Sequence, residues 1–221
     1  MAGKTRVAYD QAFNAIKEDI LRLSELVDRA IGQALICLQE RDQGMAHQVI
    51  NDDEAINDLR FKVEEDCLKL IATQQPAATD LRAVVAAMNI VVDIERMGDY
   101  AAGIAKTVIR MGEEPLLKPL IDIPRMVEIA RQMLRDAIKA YAARDASMAK
   151  EIAARDDEID HLYRAIFDEL VEIMADQPEG AARATYLLWV AHNLERIGDR
   201  VTNIAERVVF ITTGDMRELN V

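Results

Sequence analysis

The sequence predicts an all-α protein of six helices, arranged as two pseudo-symmetric three-helix antiparallel bundles. Hydrophobic residues make up 51% of the 221-residue chain and aromatic residues 5%, a balance typical of helices packed on helices. The alternation of β-branched and polar residues that marks strands is absent. A charged motif also occurs twice, 100 residues apart, so the two halves are expected to fold alike.

Turn residues separate the predicted helices. Asp42 and Asp145 stand near helix starts, and Pro76 and Pro178 stand in short turns. Short loops force neighbouring helices to lie side by side in opposite directions. The six helices are predicted at 8–42, 45–74, 79–111, 125–143, 146–175 and 180–212.

A duplicated domain is indicated by similarities beyond the charged motif. Arg41-Asp42, for example, recurs 103 residues later as Arg144-Asp145. The segment 112–124 holds three of the chain's five prolines, so we interpret it as a connector. The first repeat is then predicted at 8–111 and the second at 125–213.

The overall charge and hydropathy exclude several functions. The net charge is −12 and there is no basic stripe, so nucleic acid is not an expected partner. No apolar run approaches the ~20 residues that span a bilayer, and the N-terminus lacks a signal sequence. A cytoplasmic protein without membrane insertion is expected, although it could associate peripherally with membrane complexes. Cys37 and Cys67 are expected to be buried, reduced thiols.

Each copy of the motif carries two carboxylates four residues apart, which places both on one face of a helix. That face is the apolar one, so the sequence puts charge where burial is expected, and something must neutralise it. The copies read Asp93-Ile-Glu95-Arg96-Met-Gly98-Asp99 and Asn193-Leu-Glu195-Arg196-Ile-Gly198-Asp199.

The preceding helix of the first half brings further polar residues to the same level. In an antiparallel hairpin, residues equidistant from the turn lie side by side. Folding about Pro76 pairs Asp53 with Asp99 and Asn57 with Glu95. The cluster is then expected ~28 Å above the turn, at ~1.5 Å of rise per residue.

The second half repeats this arrangement. Folding about the point between Gln177 and Pro178 pairs Asp156 with Asp199 and Asp160 with Glu195. Both hairpins are therefore expected to gather their acids at one level. The repeated motif lies on only one helix of each hairpin, so it does not by itself require this pairing.

Carboxylates gathered at one level repel one another, and two means of neutralisation remain open. A bound cation is one, and all-oxygen ligands favour Mg²⁺, Ca²⁺, Mn²⁺ or ferric iron, with Zn²⁺ also allowed. An arginine network is the other, because Arg96 and Arg196 adjoin the acids and Arg60, Arg82 and Arg200 are nearby.

These residues resemble the PhoU family, the phosphate-signalling accessory proteins of bacteria. The repeated Glu-Arg-x-Gly-Asp, the run Gln-Pro-x-x-x-Asp-Leu-Arg at 75–82 and the two-copy layout carry the resemblance. It implies metal sites of the form Glu/Asp-x-x-x-Asp, which hold multinuclear iron or zinc clusters in relatives. Carried onto this chain, the metal ligands are Asp53, Glu95, Asp99, Asp156, Asp160, Glu195 and Asp199.

The resemblance also implies a role and partners. PhoU proteins repress the phosphate-starvation response and restrain phosphate uptake by contacting a sensor histidine kinase and the ATPase of the phosphate ABC transporter. Self-association as a homodimer is common among them. One departure bears on the metal sites: Asn57 stands where the second half has Asp160, so we expect the first site to be weaker.

Two rival interpretations remain. A di-iron enzyme would explain Glu158-Ile-Asp-His161, but such sites need two Glu-x-x-His copies and the first half has Asp58 instead of histidine. Since no nucleophile–base pair or phosphate loop is present either, the chain is predicted not to be an enzyme. A metal-free helical adaptor is the second rival. His192, one turn before Glu195, is interpreted as a satisfied and partly buried histidine.

Overall fold

The computed structural model describes residues 2–216 and 218–219, and within them the chain forms helices and no strands. The predicted all-α fold is thus confirmed. A short 3-10 turn, Pro178–Gly180, precedes the last helix. The helices are α1 (Ala2–Glu40), α2 (Gln43–Gln74), α3 (Thr79–Met111), α4 (Asp122–Ala143), α5 (Ala146–Ala153), α6 (Asp156–Asp176) and α7 (Ala181–Thr213).

The helices form two bundles. Helices α1, α2 and α3 pack on one another, and α4, α5 and α6 pack against α7. The bundles meet where α3 packs along α7 and where α1 packs on α4. Helices α3 and α7 are therefore covered on several sides, which explains their high content of buried Ala, Val and Ile. Among the described residues, no helix has the length and apolar character needed to cross a membrane.

The loops after α1 and α4 have the same construction. Each helix ends at an arginine in the left-handed conformation, Arg41 with φ 59° and Arg144 with φ 54°. The next residue is an aspartate that caps the following helix: Asp42 accepts from the amide of Met45 at 2.9 Å, and Asp145 accepts from the amides of the residues two and three positions later. These caps confirm the predicted helix starts.

The fifth predicted helix, 146–175, is present but interrupted. It ends as α5 at Ala153 and restarts as α6 at Asp156, with the amide of Arg155 donating to the carbonyl of Ile152. Three acids in the first turn of α6 favour a new helix start because they complement the positive end of its dipole.

Smaller differences concern the helix ends and the cysteines. Helix α4 begins three residues before the predicted position because Pro124 lies in its first turn, where no amide hydrogen is needed. Cys37 and Cys67 are buried and free, as expected.

Candidate carboxylate clusters

The first cluster forms where α2 meets α3. Gly98 of α3 lies directly beneath Asp53 of α2: a Cβ placed on Gly98 would be 3.2 Å from Asp53 Oδ1 and 3.1 Å from Ile56 Cδ1. The missing side chain lets the helices approach closely. Asp53 is thereby close enough to Asp99 and Glu95, one turn apart on α3, for their charges to act on one another. The hairpin relation predicts the pairing of Asp53 with Asp99.

Burial and mutual repulsion shape the electrostatics of this first cluster. Burial, reinforced by the charge of Asp99, raises the pKa of both Asp53 and Glu95. Asn57 donates to Asp53 Oδ2 at 3.3 Å, while Arg96 donates to Asp99 at 3.2 Å. Asn57 thus supplies a hydrogen-bond donor where the second half supplies a further carboxylate.

The second cluster forms in the same way where α6 meets α7. A Cβ placed on Gly198 would lie 2.5 Å from Asp156 Oδ1 and 3.0 Å from Ile159 Cδ1, so this contact is closer than in the first half. Asp156 is buried, whereas the side chains of Asp160 and Asp199 are each 35% exposed.

Charges in the second cluster act on the two acids of α7. Burial, with repulsion from Asp199, raises the pKa of Glu195, and burial also raises the pKa of Asp199 itself. Arg196 donates to Asp199 at 2.8 Å, and Arg164 donates to Asp160 at 3.2 Å. Arginines therefore neutralise the exposed side of the cluster.

Three buried carboxylate oxygens of the clusters nevertheless have no hydrogen-bond partner: Asp53 Oδ1, Glu95 Oε2 and Glu195 Oε2. Arg96 Nε lies 3.7 Å from the Glu95 oxygen and Arg196 Nε 3.2 Å from the Glu195 oxygen, but neither makes a hydrogen bond to it. Since buried polar atoms are almost always satisfied, these oxygens mark positions that suit a cation or a proton.

The donor set fits a hard cation in its chemistry, because carboxylate oxygens are the ligands that such ions prefer. In the part of the chain that the structure describes, however, no three His, Cys, Asp or Glu side chains converge into a group that could hold a metal ion. The acids are adjacent, and the side chains of Asp99 and Asp199 turn toward Arg96 and Arg196. Metal binding would therefore need these two carboxylates to leave their arginines.

The two clusters lie at the same level because α3 and α7 are held in a fixed register. Asp93 of α3 accepts from Asn203 of α7 at 3.0 Å. On the other side of the pseudo-twofold axis, Asn193 of α7 lies against Gly103 of α3. Gly98 lies midway between the two contact positions on α3, and Gly198 lies midway between those on α7, so the two glycines are at the same level. The two acid clusters therefore lie on opposite sides of the α3–α7 pair.

Asp93 is a structurally important residue that the spacing argument did not single out. It is 8% exposed and also accepts from Arg200 Nη1 at 3.3 Å. Burial raises its pKa, against the effect of Asn203 and Arg200. One feature of the sequence indicates that Asp93 is buried. Asp93 stands on the opposite face of α3 from Glu95, and because α3 is apolar all round, burial is expected on both faces.

One histidine is more exposed than predicted. His192 was expected to be partly buried, but its side chain is 49% exposed, with Nδ1 3.7 Å from Glu195 Oε2 and its ring against Tyr163. It is exposed because it lies at the outer rim between α6 and α7. Glu158 and His161, the fragment of a di-iron motif, are exposed and line a groove toward α4.

The raised pKa values lead to a prediction of pH dependence. Because Glu95 and Glu195 titrate above their ordinary value of 4.5, the folded chain retains protons that the unfolded chain releases. The metal-free protein is therefore expected to gain stability as the pH falls through the raised pKa values toward 4.5, and to lose that gain as the pH rises through them again. Urea unfolding at a series of pH values measures this gain. It should shrink in the double variant Glu95→Gln, Glu195→Gln, and an undiminished gain would contradict the assignment.

Comparison with known proteins agrees with the resemblance drawn from the motif. Residues 20–108 and 123–208 match the profile of the PhoU domain. A Clostridium acetobutylicum protein named phosphate-specific transport system accessory protein PhoU homolog is 35% identical, covering 98% of this chain and 99% of the relative. A homologue of the same name from Streptococcus pneumoniae serotype 4 is 36% identical, covering 97% of this chain and 100% of the relative.

Two solved structures have the same fold. The crystal structure of the phosphate transport system regulatory protein PhoU from Streptococcus pneumoniae has a TM-score of 0.89 and 35% identity, covering 95% of this chain and 99% of that one. The crystal structure of PhoU from Pseudomonas aeruginosa has a TM-score of 0.90 and 30% identity, covering 94% of this chain and 100% of that one.

Proposed function

Because this chain belongs to the PhoU family, we propose that it regulates phosphate transport and signalling. In this proposal it represses the phosphate-starvation response and restrains phosphate uptake, by contacting a sensor histidine kinase and the ATPase of a phosphate ABC transporter. The observation that supports it is the match along almost the whole length of relatives named phosphate-specific transport system accessory proteins. The PhoU family is one of regulatory accessory proteins, so the chain is not an enzyme.

A cell-based complementation experiment tests the regulatory role. In a bacterial strain lacking its own PhoU protein, the chain is expected to lower expression of a phosphate-starvation reporter when phosphate is plentiful. Affinity purification from the same cells should recover the histidine kinase and the transporter ATPase. If the chain accumulates in folded form and the reporter stays fully active, the proposed function is wrong.

Metal binding at the two carboxylate clusters is part of the proposal. Asp53, Glu95 and Asp99 would hold an ion in the first half. In the second half the ligands would be Asp156, Asp160, Glu195 and Asp199. A bound cation would neutralise the repulsion between the acids and occupy the position that the unsatisfied oxygens face.

A metal-free helical adaptor is the second candidate, and one observation favours it. Arg96 and Arg196 each lie within ion-pair distance of both acids of their own motif, so arginine supplies part of the neutralising charge. The adaptor would perform the same regulation through protein contacts alone.

The two clusters are expected to differ in affinity. Asn57 replaces a carboxylate in the first cluster, and the charge of Arg60 also acts on Glu95 there. A metal titration measured by isothermal calorimetry should show weaker binding, or fewer bound ions, in the first half. The variant Asn57→Asp restores the missing carboxylate and should bring the metal affinity of the first half closer to that of the second. Equal affinity and stoichiometry in both halves of the unmodified chain would contradict this account.

A further inference from the structure

Equivalent positions on α3 and α7 carry opposite charges. Lys106 of α3 stands where α7 has Glu206, 100 residues later. Each lies seven residues after the aspartate of its own motif, Asp99 or Asp199, and two turns of helix return to nearly the same face. A long side chain on a helix also leans toward the N-terminus of that helix, which directs both charges back toward the acid clusters.

In the first half this charge helps to neutralise the cluster. Burial raises the pKa of Asp53, and the positive charge of the exposed Lys106 opposes that effect. Arg96 and Arg60 likewise oppose the raised pKa of Glu95. The three acids of the first cluster are thus matched by three cationic side chains, and they need little further charge from a bound ion.

The second half has no cation at two of these positions. Tyr163 of α6 stands where α2 has Arg60. Glu206 lines a cavity of about 580 Å³ together with Asp156 and Asp199. Its carboxylate therefore adds negative charge beside the second cluster, where the first half places an ammonium group.

Arginines near the second cluster do not restore the balance. Arg200 and Arg207 line the same cavity, but the charges of both also act on Asp93, which lies 3.3 Å from Arg200 Nη1. Glu218 lines the cavity as well, so four carboxylates face two arginines there. A net negative charge remains on the side from which a cation could approach.

We propose that the charge at this pair of positions decides which half of the chain binds a divalent cation more tightly. Lys106 acts as a built-in counter-ion of the first cluster and repels an incoming ion, whereas Glu206 attracts an ion to the second. The inference rests on the metal binding in the proposed function and adds residues outside the ligand set. Because both side chains act through their charge, their effect should weaken at high salt.

Isothermal calorimetry with Mn²⁺, on the full chain stripped of metal, tests the first-half position. Glu195→Gln with Asp199→Asn silences the second cluster, so the remaining binding belongs to the first. In that background, Lys106→Gln is expected to strengthen Mn²⁺ binding about threefold and Lys106→Glu about tenfold. Both gains should shrink in roughly 1 M salt, where the Debye length falls to about 3 Å.

The second-half position is tested in the reverse background. Glu95→Gln with Asp99→Asn silences the first cluster. Glu206→Lys is then expected to weaken Mn²⁺ binding about tenfold, and Glu206→Gln about threefold. The glutamine variant keeps an oxygen that can accept from the amide of Leu219, as Glu206 Oε1 does at 3.0 Å, so it separates the charge from the local hydrogen bond.

Lys69 and Glu172 provide the matched control. They carry the same exchange of lysine for glutamate at equivalent positions of α2 and α6. Both are exposed, and each lies sixteen residues after Asp53 or Asp156, which is ~24 Å along the helix and beyond the Debye length of ~10 Å at 0.1 M salt. Lys69→Glu and Glu172→Lys should therefore leave Mn²⁺ affinity unchanged.

Two results would overturn the inference, and they differ in what they say of the proposed function. If Mn²⁺ binds but the variants of Lys106 and Glu206 change its affinity no more than the controls do, the inference is wrong and metal binding stands. If the unmodified chain binds no Mn²⁺, the inference and the metal sites of the proposed function are both wrong, and the reporter experiment alone judges the regulatory role.

Discussion

Replacing Asp93 with alanine is expected to destabilise the protein by about 3 kcal/mol, which for a chain of this size lowers the melting temperature by roughly 6–12 °C. Asp93 is buried between α3 and α7, where it accepts hydrogen bonds from Arg200 and Asn203. Without it, Asn203 loses a buried acceptor and the Arg200 guanidinium loses its counter-charge at the contact between the bundles. Thermal and urea unfolding measure the loss.

The variant Asp93→Asn provides the matched control. Asparagine keeps the shape and one acceptor oxygen, and the second half already carries Asn193 at the corresponding position. Asp93→Asn still removes the counter-charge of Arg200, so it is expected to cost about 1–2 kcal/mol, less than the alanine variant. If the alanine and asparagine variants were equally stable, the hydrogen bonds of Asp93 would not hold the bundles together.

Gly198→Ala is expected to have the next largest effect, a loss of about 2–3 kcal/mol. The new methyl group would lie 2.5 Å from Asp156 Oδ1 and 3.0 Å from Ile159 Cδ1, well inside normal contact distance. The side chains of Asp156 and Ile159 would have to shift within the packed contact between α6 and α7. We expect this cost to exceed the ~1 kcal/mol that alanine gains over glycine within a helix. Urea unfolding monitored by circular dichroism measures the difference.

Gly98→Ala is the matched comparison in the first half. Its methyl group would meet Asp53 and Ile56 at 3.1–3.2 Å, distances that a small shift can relieve. A loss of about 1 kcal/mol or less is expected there. If Gly98→Ala destabilised the protein as much as Gly198→Ala, the closer contact between α6 and α7 would not explain the loss of stability.

The helical architecture and the level of the acids could be predicted from the sequence because both depend on local rules. Turn residues at Pro76 and Pro178 bound the hairpins, and a fixed rise per residue then determines which positions face each other. The contacts of Gly98 with Asp53, and of Gly198 with Asp156, agree with that register. Helix spacing also placed Glu95 and Glu195 correctly at a buried edge.

Features that depend on contacts between distant segments could not be predicted in this way. The role of Asp93 requires the register of α3 against α7, which belong to different repeats and are not joined by a short turn. The break between α5 and α6 separates two stretches that are both compatible with a helix, so the spacing of residues does not predict it.

The two halves share a scaffold but differ in the side chains that would bind ligands. Asn57 in the first half corresponds to Asp160 in the second. This difference gives the second half one more carboxylate that could hold a metal ion. We therefore expect a variant of the second cluster to impair the protein more than the equivalent variant of the first.

The metal content of untagged protein, measured by plasma mass spectrometry, tests the two carboxylate clusters most directly. After exposure to iron, zinc, manganese, magnesium and calcium, the unmodified chain is expected to retain metal. Glu195→Gln with Asp199→Asn should remove the larger share, and Glu95→Gln with Asp99→Asn the smaller share, with helicity intact in both. An unmodified chain without metal above background, or unchanged content in both double variants, would contradict the account and favour the metal-free adaptor.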